Sequence, residues 1–141
     1  MTMKTSSAAQ LATFAAGLRV DAIPEPVVRF AENLLVDWFG SAVAGHGSRP
    51  VASITRFAQA MGGIAGQGTA EVITTRSTNS PYLATMANAA ASHVAEQDDV
   101  HNGSVFHPAT VVFSPAVAVA QALGASGQQF IAASVACYEV G

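Results

Sequence analysis

An all-α, bundle-like domain is what this sequence predicts, and three observations carry the prediction. Apolar residues recur at helical spacing along most of the chain. Helix punctuation is repeated: Ser, Pro or Ser-Pro stands before these stretches, and Gly follows several of them. Half of the 141 residues are hydrophobic and 11% are charged, enough apolar material for one domain with a real core and far from the composition of disorder.

In order along the chain, Ser6 or Ser7 caps a first helix through about Leu18, with Leu11, Phe14, Ala15 and Leu18 on one face that needs a partner. Pro24 opens a second helix whose apolar stripe (Val27, Val28, Ala31, Leu34, Leu35, Trp38, Phe39, Ala42) runs to Gly45. Its width predicts burial on more than one side, with Trp38 and Phe39 in the core. Pro50 opens a third helix that reaches Met61 and stops at Gly62-Gly63. Glycines follow, and residues 70–75 (Ala-Glu-Val-Ile-Thr-Thr) form the one short extended segment expected. Ser80-Pro81 restarts a helix through Met86, Asn88 and His93, and the same signal at Ser114-Pro115 predicts another through Val117, Val119 and Leu123 to Gly124. Ser126 with Gln129 has the form of a capping box and opens a last helix, still running at the end of the sequence. No linker divides the chain and no solenoid-period repeat is present.

Composition narrows the function classes. A net charge of -3 gives no basic footprint for nucleic acid and no polybasic stripe for an anionic membrane. No apolar run of about 18 residues and no leader-like N-terminus is present, so the expected address is the cytoplasm. Cys137 is alone, which excludes an internal disulfide or a cysteine metal cluster and reads as a small core residue.

Chemistry concentrates in residues 96–108, where Glu96, Asp98, Asp99, His101, Ser104 and His107 crowd between two Ala-rich runs. Such density of polar groups near a core is costly unless it serves a site. Asp98 and His101, three residues apart, are placed to face each other across a turn, and an Asp-oriented imidazole makes a general base near neutral pH. His107 precedes Pro108, and the helix start expected at Ser114-Pro115 would offer free amides to a substrate carboxylate while His107 handles a proton. Adjacent Asp98 and Asp99, with Glu96 nearby, can raise one carboxyl pKa and keep a proton for donation. The set suits proton abstraction beside a carboxylate, coupled to loss of a leaving group. Asp98, His101 and His107 are also possible metal ligands, but their spacing matches neither HExxH nor an EF-hand, so no metal is assigned. His93 reads as a hydrogen-bonded core or supporting group, and His46 as a loop residue. All six Lys and Arg precede Ser77, so the cations for an anionic substrate come from elsewhere.

The string Asp98-Asp99-x-His101-x-x-Ser104-x-x-His107-Pro108 resembles the signature of the MmgE/PrpD family. So do the approach from Asn88 to His93, the run from Ser114 to Ala120, the terminal Tyr138-Glu139-Val140, and Asp37-Trp38-Phe39-Gly40, which together span nearly the whole chain. The resemblance implies a lyase of the 2-methylcitrate dehydratase, cis-aconitate decarboxylase or iminodisuccinate epimerase kind, a homodimer acting on a small polycarboxylate without a cofactor. It makes His107 the leading catalytic residue, joined by Asp98, Asp99 and His101, with Glu96 and Ser104 as substrate-binding candidates. Many members carry Thr where Val100 stands and Gly where Ala109 stands. It also implies that residues 1–141 are part of the helical domain, lacking the lid domain and the C-terminal helical segment, so that this portion alone is inactive. The reading from a different class is a non-catalytic helical oligomerisation module.

Overall fold

The computed structural model describes residues 6–62 and 68–141. The expected glycine break at Gly63 lies outside the described residues. Six helices and one small hairpin follow in the order α1 (Ser7–Gly17), a 3-10 turn (Val20–Ala22), α2 (Glu25–Ala44), α3 (Arg49–Met61), β1 (Ala70–Val72), β2 (Ser77–Asn79), α4 (Pro81–His93), α5 (Pro108–Leu123) and α6 (Gly127–Val140). The domain is mostly α, as predicted.

Helix α4 is the centre of the assembly and touches α2, α3 and α5. It can do so because, Leu83 apart, its buried positions are small: Ala84, Ala87, Asn88, Ala91 and Ser92. Short side chains let neighbouring backbones approach, and close packing converts that approach into dispersion energy. Gly45 ends α2 directly against the Ala91 carbonyl, where any Cβ would collide. Ser80 caps α4 by accepting from the Leu83 amide, and Ser126 and Gln129 close a reciprocal capping box on α6, both as the sequence predicts.

Of the one extended segment expected at 70–75, only Ala70–Val72 is a strand, and it pairs with a second, unexpected strand in an antiparallel hairpin, with Ala70 opposite Asn79 and Val72 opposite Ser77. Residues 77–79 carry little β-forming signal, and two buried asparagines hold the pair in place. Asn88 on α4 accepts from the Ile73 amide and donates to the Glu71 carbonyl, each at 2.9 Å. Asn79 donates to the Ala58 carbonyl on α3 at 2.8 Å.

Four expectations are corrected. The helix expected to open at Ser114-Pro115 already starts at Pro108, and Pro115 lies inside it. Ser114 is fully buried, its hydroxyl accepting from the Trp38 indole at 3.3 Å. Pro115 has no amide proton to give the Val111 carbonyl, and Val111 lies on the exposed side of the helix. Helix α2 is buried along one stripe rather than on more than one side: Trp38 is 1% exposed, whereas Phe39 is 48% and Val36 71% exposed. The apolar face of α1 is only lightly covered, with Leu11 and Phe14 exposed. Cys137 is also exposed, because Ser134, Val135 and Tyr138 take the inward face of α6.

Trp38, Ala109, Val112 and Phe113 form a cluster with Phe130 and Tyr138 packed on it. That cluster joins α2, α5 and α6 directly beneath the first turn of α5.

Candidate active site

The polar segment links the C-terminus of α4 to the N-terminus of α5, and its two halves have different surroundings. Asp98 is the hub of the inner half, with a side chain that has no solvent exposure. One oxygen, Oδ2, accepts from the Thr110 hydroxyl at 2.7 Å and lies 3.4 Å from Nδ1 of His93. The other, Oδ1, lies 3.3 Å from Nδ1 of His107. That last approach is close enough for an ion pair but misaligned for a hydrogen bond, so both buried atoms lack a hydrogen-bond partner. The His93 and His107 rings meet edge to face with centroids 4.8 Å apart.

The chain reaches this arrangement by local means. His93 is the last residue of α4, His107 is the N-cap residue of α5, and Thr110 lies one turn into α5. Thr110 has a single hydroxyl proton. Given to Asp98, it leaves the oxygen to accept from Ser92, 2.9 Å away on α4. Asp98 is thus fixed from behind by two helices.

Asp99, the next residue, does something else. Its Oδ1 accepts from the Ala109 amide at 2.8 Å and caps α5 from across the loop, while its Oδ2 accepts from the Tyr138 hydroxyl at 3.0 Å. This cap explains why α5 starts at Pro108. Desolvation, reinforced by the Asp99 charge, pushes the Tyr138 phenol well above its ordinary range and keeps it a donor. The free amides expected at Ser114-Pro115 are not there, because those residues lie inside α5, and at its actual start the Ala109 amide is taken by Asp99.

The outer half is a turn closed by a bridge between His101 and Phe106. Residues His101 to Val105 are exposed, and Nδ1 of His101 pairs with the Ser104 hydroxyl at 2.9 Å. His101 does not face Asp98, which corrects that expected pairing; His93 occupies the place instead. Glu96 is exposed, with a left-handed backbone (φ 49) that turns the chain out of α4. His46 is a loop residue, its Nδ1 3.1 Å from the Thr74 carbonyl.

The structure thus brings together Asp98 and His107, sets Asp99 beside them as a cap, and leaves His101, Ser104 and Glu96 on the surface of the turn. Sequence reasoning missed Thr110 and Tyr138 and gave His93 only a supporting part. The available signal was spacing: His93 precedes Asp98 by five residues and Thr110 follows His107 by three, so a tight loop returns both to Asp98. Among the described residues, the ion pairs of Asp98 are with histidines alone. The arrangement can hold an imidazole against a buried carboxylate, a device for accepting and releasing a proton.

The model of the MmgE/PrpD N-terminal domain matches residues 9–141. A cis-aconitate decarboxylase from Aspergillus terreus is 30% identical over 125 residues, covering 89% of this chain. The chain spans 25% of the length of that curated relative. No solved structure matches significantly.

Proposed function

The chain belongs to the MmgE/PrpD family, and we propose that the protein carrying it is a lyase whose His107 removes a proton alpha to a carboxylate of a small di- or tricarboxylic acid. One observation carries this reading: a solvent-free carboxylate, Asp98, stands 3.3 Å from Nδ1 of a half-buried His107. With Nδ1 turned toward Asp98, Nε2 is left for the substrate. Proton transfer makes an imidazolium, and the buried negative charge beside it offsets the new positive one. In a dehydration the electron pair left on carbon expels a neighbouring hydroxide, which takes up a proton and leaves as water; in a decarboxylation the departure of carbon dioxide itself leaves the pair on carbon, and His107, starting as the imidazolium, gives that carbon its proton instead of removing one.

The relative named cis-aconitate decarboxylase favours a tricarboxylic substrate and the second of these outcomes. Substrate carboxylates need cations, and those in reach of residues 93–107 come from protein beyond these residues in this reading. A homodimer is part of the same proposal, supported by large apolar side chains left exposed on α2, such as Phe30 and Val36.

The test is steady-state kinetics on the intact protein with cis-aconitate and 2-methylcitrate, scoring release of carbon dioxide and of water separately. His107→Gln lowers kcat/KM by on the order of 10²–10⁴. Normal turnover by that variant removes the proposed role.

A further inference from the structure

We propose that His93 is a positioning residue that governs the proton of the Asp98–His107 pair: the two imidazoles share one buried carboxylate, His93 takes the first proton from solvent, and the reaction runs only while His93 is neutral. The inference rests on the lyase reading and adds to it a group that acts through Asp98. The Asp98 side chain has no solvent exposure, and its two oxygens are divided between the two rings. Oδ2 accepts from Nδ1 of His93 at 3.4 Å and from the Thr110 hydroxyl at 2.7 Å. Oδ1 faces Nδ1 of His107 at 3.3 Å, an ion pair without a hydrogen bond. The rings meet edge to face with centroids 4.8 Å apart. Among the described residues, the His93 side chain makes no other hydrogen bond, ion pair or ring contact. Asp99 is turned away to Ala109 and Tyr138, and Glu96 is exposed.

Charge decides what this arrangement permits. A neutral His93 donates to Oδ2 and leaves the carboxylate charge for His107, which needs it whenever it holds a proton. A protonated His93 takes that charge for itself, and an imidazolium on His107 then lies against a like charge with one carboxylate between the two. Groups coupled this closely bind protons as a pair rather than as individuals. His93 is also the ring that meets the solvent: its side chain is 50% exposed against 28% for His107, so protons from bulk water reach the pair through it. The requirement is the same for either outcome of the reaction. Dehydration starts with both rings neutral, and decarboxylation starts with one proton, on His107. A proton on His93 blocks both starts.

The experiment is the pH dependence of kcat/KM for the intact protein and its His93→Asn variant, with whichever of cis-aconitate and 2-methylcitrate is turned over. Asn carries an N–H near the place of Nδ1, so it keeps a donor for Oδ2 and takes up no proton. The expected result is activity that persists about one pH unit or more further into acid than in the parent, or an acid limb that disappears. Titration of the substrate is common to both proteins and cancels in the comparison. His93→Gln is read in the same way should the Asn variant not fold, with circular dichroism as the check on both. Acid limbs at the same pH overturn the proposal. So does a folded variant that is inactive at every pH, because the His93 ring is then needed for more than its charge. Failure of the lyase reading shows separately, as normal turnover by His107→Gln.

Discussion

The inner and outer halves of the loop between α4 and α5 have similar compositions and opposite fates. In the inner half, Asp98 is engaged from α4 and α5 and Asp99 from α5 and α6, and His107 is held at the start of α5. In the outer half, His101 and Ser104 satisfy one another at the surface, and their immediate neighbours touch little else. A histidine and a hydroxyl three residues apart make a local pair almost anywhere. A carboxylate gathering partners from α4 and α5 exists only in the folded molecule. The second kind of arrangement resists replacement, and four measurements test how far the contrast reaches.

The largest effect belongs to Asp98. Asp98→Asn preserves volume and an acceptor for Thr110 but removes the charge facing His107. We expect kcat/KM of the intact protein to fall by on the order of 10²–10⁴, equivalent to roughly 3–5 kcal/mol, with little change in Tm. Unchanged turnover would make the inner half a structural feature only. Asp99→Ala has the reverse signature: it removes the cap on Ala109, worth about 1 kcal/mol, and strands the Tyr138 phenol, worth about 1–3 kcal/mol. Denaturant unfolding should report a loss of about 2–4 kcal/mol. A loss below 1 kcal/mol means that Asp99 does not anchor α5.

Tyr138→Phe removes only the far end of that link and costs about 1 kcal/mol at neutral pH. Its informative property is pH dependence. The folded phenol titrates above the ordinary value of 10.0, so as pH rises through that value the unfolded chain loses a proton that the folded chain keeps. Unfolding free energy therefore falls with rising pH in the parent. The phenylalanine variant lacks this contribution, and its stability curve should be flatter above pH 10. Parallel curves would show that neither burial nor Asp99 raises the phenol's pKa in the folded chain. The smallest effect is at the tip: His101→Ala with Ser104→Ala should change stability by no more than about 0.5 kcal/mol. If it costs more than about 1 kcal/mol, the outer half is built like the inner one.

Local rules carried most of the fold. Ser80 and Ser126 cap where their side chains dictate, and Pro24 and Pro50 mark helix starts to within a residue or two. The same rule failed at Ser114-Pro115 because Pro108 had already started the helix, with its cap supplied by Asp99 from across the loop. A cap from ten residues away leaves no mark in a local pattern. Periodicity identified the apolar face of α2, yet it could not tell a stripe covered by neighbours from one left open, so Phe39 was read as core. The site shows the same division. Asp98 and His107 stood out through their density of polar neighbours, whereas Thr110 and Tyr138 matter only because α5 and α6 come back to the loop.

The small-residue face of α4 has a consequence for how such a site changes over time. His93 sits at the end of that helix, and Asp98 follows a few residues later, so the separation of α4 from α5 sets the gap between Asp98 and His107. Ala84 and Ala87 pack in one cluster with Ala118 of α5 and leave no slack there. An added methylene at either of them acts like a shim under a lever, displacing the helix and opening distances that proton transfer needs short. Diversification is therefore steered outward: the exposed turn from His101 to Val105 can vary in length and chemistry without disturbing the carboxylate behind it.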